Sequence, residues 1–261
     1  MKALAARRHD RRAPVVLLLL ALLLVGGLYA ALQPASASAA PQAASANDVT
    51  NGQKLFEANC ATCHGMGAPG TSAAPSLVGV GAAAVDFQVG TGRMPMAMSG
   101  PQAQRKPVVF TPEQISQLAA YVASLGPGPA IPTAEQVDAA KGDPANGMAI
   151  FRTNCAMCHN AVGAGGALSQ GKFAPNLWST SNTHLYEAML TGPQSMPVFN
   201  DANITPQGKR DIISFIRLQG GTQPGGLSLG SLGPVSEGLW AWVVGIGLLI
   251  GAAVWIGARS S

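Results

Sequence analysis

Two Cys-x-x-Cys-His motifs constrain this chain more than any other feature of its sequence. One occupies residues 60–64 and the other residues 155–159. Their four cysteines are the only ones among the 261 residues, so no thiol remains for a disulfide elsewhere. Because each motif brings two thiols and an imidazole together over a short stretch, the two copies predict two sites with the same chemistry.

The motifs lie in two related halves of the chain. Asn51-Gly52 and Phe56 precede the first motif, and Asn146-Gly147 and Phe151 precede the second in the same order. Four further matches follow the motifs: Pro75 with Pro175, Leu77 with Leu177, Met94-Pro95 with Met196-Pro197, and Thr111-Pro112 with Thr205-Pro206. A repeat of roughly 95 residues is too long for a solenoid and indicates duplication of a whole domain. The first half has extra residues at 100–106, which we interpret as a surface loop.

Each half carries helix signals at both ends, so we predict two all-α domains. Thr111-Pro112 and Thr205-Pro206 place Thr at an N-cap and Pro at the first helical position, ahead of apolar residues at helical spacing. Candidate N-caps for the opening helices are Asp48 or Asn51 in the first half and Asp143 or Asn146 in the second. Only 5% of the residues are aromatic, so a buried prosthetic group would compensate for a small core.

The motif predicts covalent attachment of one haem c in each domain. Two residues between the cysteines allow both thiols to form thioethers with the haem vinyl groups, and the adjacent histidine becomes the proximal ligand of the iron. We therefore assign haem attachment to Cys60, Cys63, Cys155 and Cys158, and iron ligation to His64 and His159. Other uses of the cysteines fit less well. A zinc ion would have to join pairs in separate domains, a thioredoxin-like motif needs a βαβ unit, and a disulfide across so short a pair is strained.

Methionine is the predicted sixth ligand of the iron in both domains. A thioether is soft and neutral, raises the reduction potential and leaves no open coordination position, as electron transfer requires. Met196 is the candidate in the second domain, where His184 is a weaker alternative because its setting is that of an ordinary helix face. In the first domain Met94, Met96 and Met98 compete, and the Met-Pro step shared by the two halves favours Met94.

Both ends of the chain carry apolar segments of membrane-spanning length. Residues 15–32 follow a basic stretch and precede small residues, which is typical of an export signal that is either cleaved or retained as an anchor. Residues 238–258 contain no charge and predict a transmembrane helix. Arg259 after this helix favours a cytoplasmic C-terminus, with the haem domains on the extracytoplasmic side of the cell membrane. Within the helix, Gly247 and Gly251 form a GxxxG step that would permit close packing with another membrane helix.

These features predict the organisation of the whole chain. We expect a signal peptide or anchor over residues 1–46, a first domain over 47–126, a linker over 127–143, a second domain over 144–222, a second linker over 223–237 and a transmembrane helix over 238–258. The Gly and Pro content of residues 126–133 predicts an absence of regular structure at the start of the first linker.

The net charge gives no indication of a nucleic-acid partner. The chain carries +4 at pH 7, but five of its sixteen basic residues lie within residues 2–12, ahead of the first apolar run. The rest of the chain has equal numbers of basic and acidic residues, so its charge does not favour binding to a polyanion. We therefore predict no nucleic-acid partner.

The two motifs, residues 92–95 (GRMP), residues 192–199 (GPQSMPVF) and the C-terminal apolar segment carry a resemblance that covers nearly the whole chain. With these blocks the chain resembles the dihaem cytochrome c subunit of the actinobacterial quinol–cytochrome c reductase, or cytochrome bcc complex. The resemblance implies two tandem class I cytochrome c domains and three partners: a cytochrome b subunit, a Rieske iron–sulfur subunit and an aa3-type cytochrome c oxidase. It also implies that the chain is the electron-transfer subunit of an oxidoreductase, carrying electrons from the Rieske protein through two covalently bound haems to the oxidase.

Two alternatives remain open. A membrane-anchored dihaem cytochrome subunit of a periplasmic dehydrogenase would share the motifs, but it need not share the C-terminal helix. A dihaem peroxidase would need one iron with an open sixth position, and the Met-Pro step in both halves disfavours that.

Overall fold

The computed structural model describes residues 13–32, 45–98, 100–221 and 234–259, and within these ranges the chain is mostly helical. The chain divides into two units, with the boundary between residues 39 and 40. In the first unit, helix α1 (Ala13–Leu32) covers the N-terminal apolar run, and its described side chains between Val15 and Val25 are exposed. The second unit contains all the other described elements.

The first domain is built from helices α2 (Ala46–Asn59), α3 (Ala61–His64), α4 (Gly81–Gly90) and α5 (Pro112–Ser124). Helices α2 and α5 make the main contact, and α4 packs against α5. The predicted opening and closing helices are therefore present. Helix α4 is an additional element that the helix signals did not predict.

The second domain repeats this arrangement. Its helices are α6 (Pro144–Asn154), α7 (Ala156–His159), α8 (Asn182–Thr191) and α9 (Pro206–Gly221), with single 3₁₀ turns at Ala139–Lys141 and Ser169–Gly171. Helices α6 and α9 make the main contact, as their counterparts do in the first domain.

A short antiparallel ladder is the one addition to the helices among the described residues. Strands β1 (Gly166–Ala167) and β2 (Phe173–Ala174) pair so that Gly166 lies opposite Ala174. Since each strand is only two residues long, the predicted all-α class is confirmed.

A glycine lies at the helix crossing of each domain. A Cβ atom added to Gly52 on α2 would lie 1.9 Å from the carbonyl oxygen of Gln117 on α5, and one added to Gly147 on α6 would lie 1.9 Å from that of Asp211 on α9. These distances leave no room for a side chain. The repeated Asn-Gly step of the sequence is therefore a packing requirement that the two domains share.

One turn beyond each glycine, an aromatic side chain fills the core. Phe56 packs on Tyr121 and Phe151 packs on Phe215, with 5.3 Å between ring centroids in both pairs. Phe56 and Phe151 are each only 1% exposed. Tilted aromatic pairs at this separation contribute to stability beyond the area that they bury. The conserved order of the repeat thus corresponds to the same packing in each domain.

The opening helix of the first domain begins earlier than predicted. Ser45 is the N-cap, and its hydroxyl accepts a hydrogen bond from the N–H of Asp48, whose carboxylate accepts one from the N–H of Ser45. Neither Asp48 nor Asn51 is the cap, because Asp48 occupies the N3 position of this capping box. In the second domain Asp143 is the N-cap, as predicted.

The first linker packs against both domains. Residues 126–133 contain no helix or strand, as their Gly and Pro content predicts. The carbonyl oxygen of Pro129 accepts a hydrogen bond of 3.1 Å from the N–H of Ala83 on α4. Ile131 packs against the first core and Val137 against the second. The linker therefore helps to hold the domains together.

The two domains contact each other through α4 and α8. Beside this contact the amide of Gln102 both donates to the carbonyl oxygen and accepts from the N–H of Phe173, each at 2.9 Å. The N–H of Ala103, a residue only 5% exposed, donates to Gln194 Oε1 at 3.0 Å. The interpretation of residues 100–106 as a surface loop is therefore wrong for Ala103, which is buried against the second domain.

The C-terminal helix α10 spans Pro234–Arg259. Among the described residues, its segment Gly238–Arg259 is long and apolar enough to cross a membrane. Trp240, Trp242 and Trp255 are all more than half exposed, as expected for side chains that face lipid rather than a protein core. The chain thus has a candidate membrane anchor where the sequence predicts one.

Candidate haem-binding sites

The two motifs adopt the same backbone conformation. Cys60 ends α2 and begins the single turn α3, with φ −123° and ψ −31°, and Cys155 does the same between α6 and α7 with φ −120° and ψ −32°. In both motifs the histidine N–H donates to the carbonyl oxygen of the first cysteine at 2.9 Å. This turn places the two thiols and the imidazole of each motif on adjacent positions of one helical turn.

Each motif histidine is buried and oriented by a backbone carbonyl. His64 and His159 are both 9% exposed. His64 Nδ1 lies 2.8 Å from the carbonyl oxygen of Pro75, and His159 Nδ1 lies 3.1 Å from that of Pro175. Because a carbonyl oxygen only accepts, Nδ1 carries the proton and Nε2 is left as the free lone pair, which is the form that binds a metal. Burial also lowers the pKa of His159, which favours the neutral ring.

The first cysteine of each motif stays a neutral thiol. Burial raises the pKa of Cys60 to about 11 and that of Cys155 to about 12, with a smaller contribution from the second cysteine of each motif. A redox-active Cys-x-x-Cys pair requires a readily formed thiolate. The raised pKa therefore disfavours that alternative and is compatible with thiols held beside an apolar ligand.

In the first domain the structure separates the three competing methionines. Met94 is partly buried and packs against the same hydrophobic cluster as Cys60. Met96 and Met98, by contrast, are 42% and 77% exposed. Of the three thioethers, that of Met94 is therefore the one placed in the interior with the motif.

In the second domain the predicted site residues surround one cavity of about 320 Å³. Its lining includes Cys155, Cys158, His159 and Met196, together with apolar side chains of α8 and α9. The carbonyl-oriented histidine, the paired thiols and the thioether thus face a common space. This donor set and this mainly apolar lining fit a covalently attached haem.

His184, the alternative ligand in the second domain, also lines this cavity, but its side chain has a partner in the first domain. It lies on α8 with its Nε2 atom 3.5 Å from a carboxylate oxygen of Asp86, and its ring meets the edge of Phe87. Both of these residues belong to α4 of the first domain. His184 therefore takes part in the contact between the domains, and Met196 remains the favoured ligand.

Two arginines of the first domain also line this cavity, and no sequence pattern marks them as site residues. Arg93 is 7% exposed, lies 4.8 Å above the ring of Phe87 and donates to Thr91 Oγ1 at 2.7 Å. Among the described residues it forms no ion pair with a carboxylate. Burial and the nearby charge of Arg105, which also lines the cavity, lower the pKa of Arg93 to about 10. A buried cation without an anion marks a place where a bound group would supply negative charge.

Comparison with known proteins matches both domains to the same family. Residues 47–122 and 142–216 match the family described as cytochrome C oxidase, cbb3-type, subunit III. Three relatives share the name cytochrome bc1 complex cytochrome c subunit. The one from Corynebacterium efficiens is 47% identical, covering 81% of this chain and 77% of the relative. The one from Mycobacterium bovis is 43% identical, covering 90% of this chain and 86% of the relative. The one from Corynebacterium diphtheriae is 41% identical, covering 99% of this chain and 99% of the relative.

These relatives span most of the chain, including both domains. Cytochrome c domains carry covalently bound haem c, so the chain has an electron-transfer role. It acts as one component of an oxidoreductase complex with other respiratory subunits. The chain belongs to the family of cytochrome c subunits of the cytochrome bc1 complex.

Proposed function

We propose that this chain relays electrons from a Rieske iron–sulfur subunit to an aa3-type cytochrome c oxidase, using one covalently bound haem c in each domain. Quinol oxidation takes place on the cytochrome b and Rieske subunits. The observation that carries the proposal is the repeated set of paired cysteines, a carbonyl-oriented histidine and an interior methionine in two domains of one chain. One such set would make the chain a carrier with a single haem. Two sets, in domains that contact each other, would allow an electron to pass from one haem to the other.

The proposed ligands are those that the sequence predicts. Cys60 and Cys63 with His64 and Met94 hold the haem of the first domain, and Cys155 and Cys158 with His159 and Met196 hold that of the second. When bound, the haem iron supplies a one-electron couple that cycles between the ferric and ferrous states.

The protein residues adapt this couple to electron transfer. The Pro75 and Pro175 carbonyls accept the Nδ1 protons of the two histidines and thereby fix ring orientation and raise ligand basicity. The thioether of each methionine would serve as a second protein ligand of the iron, which would exclude peroxide and dioxygen and disfavours a peroxidase. Burial of the ligands keeps water away and limits reorganisation on electron transfer.

Arg93 and Arg105 supply counter-charge from the first domain to the second cavity. Haem carries two carboxylate groups, and guanidinium groups are well suited to pairing with them. A buried cation would thereby gain the partner that it lacks among the described residues. Residues of the first domain thus form part of the lining of the cavity in the second domain. This arrangement is consistent with electron transfer between the two haems.

The membrane helix bears on where the two haem domains lie. Helix α10 is long and apolar enough to anchor the chain. Arg259 at its end favours a cytoplasmic C-terminus, which would leave both haem domains on the extracytoplasmic side. This is the side on which covalent haem attachment to exported chains takes place and on which the proposed partners would present their metal centres.

The test is purification of the tagged, full-length chain from its native membranes. We expect an intact mass with two haems, and one haem in each of the paired variants Cys60→Ala/Cys63→Ala and Cys155→Ala/Cys158→Ala. We also expect a cytochrome b, a Rieske protein and oxidase subunits to co-purify. Two haems with a dehydrogenase as partner would overturn the relay and leave the dihaem cytochrome, whereas a chain without covalent haem would overturn both.

A further inference from the structure

The contact between α4 and α8 contains three metal-ligating side chains that are not among the proposed haem ligands. Asp86 comes from the first domain, and His184 and Glu187 come from the second. One ligand atom from each lies within 4.8 Å of the other two, and His184 Nε2 is 3.5 Å from Asp86 Oδ2. His184 and Glu187 are three residues apart on α8, which places them on the same face of the helix.

Glu187 is the residue that points to a missing partner. Its side chain is 0% exposed, and among the described residues neither carboxylate oxygen has a hydrogen-bond donor. Burial raises the pKa of Glu187 to about 10, with contributions from the charge of Asp86 and from a hydrogen bond to Asp86 that forms only when one of the two carboxyl groups is protonated. A carboxylate buried without a donor is costly unless it binds a cation or a proton.

We propose that Asp86, His184 and Glu187 form a divalent-cation site of the zinc class that joins the two cytochrome domains. The imidazole selects zinc or a similar transition metal over magnesium and calcium, which prefer oxygen ligands alone. Two carboxylates balance the double charge of the ion. Three protein ligands leave one position for water in a tetrahedral site.

The observed geometry suits such an ion. With bonds of about 2.1 Å, the ligand atoms of a tetrahedral zinc site lie about 3.4 Å apart. The distance of 3.5 Å between His184 Nε2 and Asp86 Oδ2 already matches this spacing. The side chains of Asp86 and His184 are 24% and 21% exposed, so an ion can reach the site from solvent, and Glu187 supplies the buried ligand.

The test is binding of zinc alone to the purified, haem-loaded chain after treatment with a chelator. Equilibrium dialysis followed by metal analysis should give about one zinc per chain, and zinc should raise the unfolding temperature. In Glu187→Gln and His184→Asn we expect zinc affinity to fall at least tenfold. Glu113→Gln, which alters an exposed carboxylate on α5, is the matched control and should bind like the native chain.

The haem absorption spectrum of each variant shows whether the domains are still folded. Glu187→Gln keeps the shape of a protonated glutamate, so this variant should retain both haems. If the native chain with intact haems takes up no zinc, or if the variants bind zinc as well as the control, the site does not exist. In that case a proton shared between Glu187 and Asp86 satisfies the buried carboxylate. The outcome does not depend on which proteins exchange electrons with the chain.

Discussion

At the scale of single residues, the choice among three methionines in the first domain is directly testable. Met94→Leu removes the only one of the three thioethers that packs beside Cys60. We expect the ligand-to-metal absorption typical of methionine-bound ferric haem to fall by half, because one of two sites is lost. The potential of that haem should fall by on the order of 0.1 V, a fraction of the range that axial ligands control. Met96→Leu and Met98→Leu are the controls, and a loss of the band in either would reassign the ligand.

Arg93 gives a second prediction at this scale. Arg93→Gln removes a buried positive charge from the cavity that holds Cys158 and His159. Since a nearby cation favours the reduced haem, we expect the midpoint potential of the second haem to fall by tens of millivolts. Redox titration of the purified chain measures this, with Arg93→Lys as the variant that retains the charge. An equal fall in Arg93→Lys would assign the effect to altered packing.

Sequence reasoning is strong for some site residues and weak for others, and the difference is physical. His64 is fixed by local spacing, because a thiol attachment and an iron ligand must lie within one helical turn. Met94 could be selected as a ligand only by comparing the two halves of the sequence. Arg93 stood beside Met94 in a recognised block, yet its role depends on a cavity in the other domain, and no local pattern reports such a contact.

At the scale of elements, the glycine at each helix crossing determines how closely two helices approach. Gly52→Ala and Gly147→Ala each place a methyl group 1.9 Å from a carbonyl oxygen, so the helices must separate. We expect each variant to lose about 2 kcal/mol of stability, despite the better helix propensity of alanine. Thermal unfolding of the haem-loaded chain measures the loss. A Cβ atom added to Gly100 would lie 3.9 Å from the carbonyl oxygen of Gln102, an ordinary van der Waals contact, so Gly100→Ala should unfold at the native temperature.

The elements that the sequence predicted are those with caps and a one-sided apolar pattern. Helix α5 has Thr111 as N-cap and Pro112 at its first position, and the sequence predicts both. Helix α4 was missed because all of its residues are buried or half-buried, so it has no fully exposed polar face to produce a helical period. The ladder of β1 and β2 is too short for an alternating pattern, and its stability depends on Gln102 from the other domain.

At the scale of the whole molecule, contacts between the domains join the two cytochrome units of the chain. The cavity of the second domain includes residues of the first, and α4 and α8 pack against each other. A duplicated sequence predicts the two units but does not predict their interface, because residues at the interface differ between the copies. Ser195 stands in the second half where Arg93 stands in the first.

The C-terminal helix provides the last prediction, which concerns assembly. Among the described residues nothing lies within 4 Å of a Cβ atom added to Gly247 or Gly251, so this face of α10 is open to a neighbouring membrane helix. Gly247→Ile/Gly251→Ile would prevent the close approach that a GxxxG step permits. We expect recovery of the other membrane subunits with the tagged chain to fall roughly fivefold, equivalent to about 1 kcal/mol of helix association. Ala253→Ile alters the opposite face of the helix and should leave recovery unchanged. If the double variant assembles normally with both haems in place, the two glycines do not contribute to packing in the membrane.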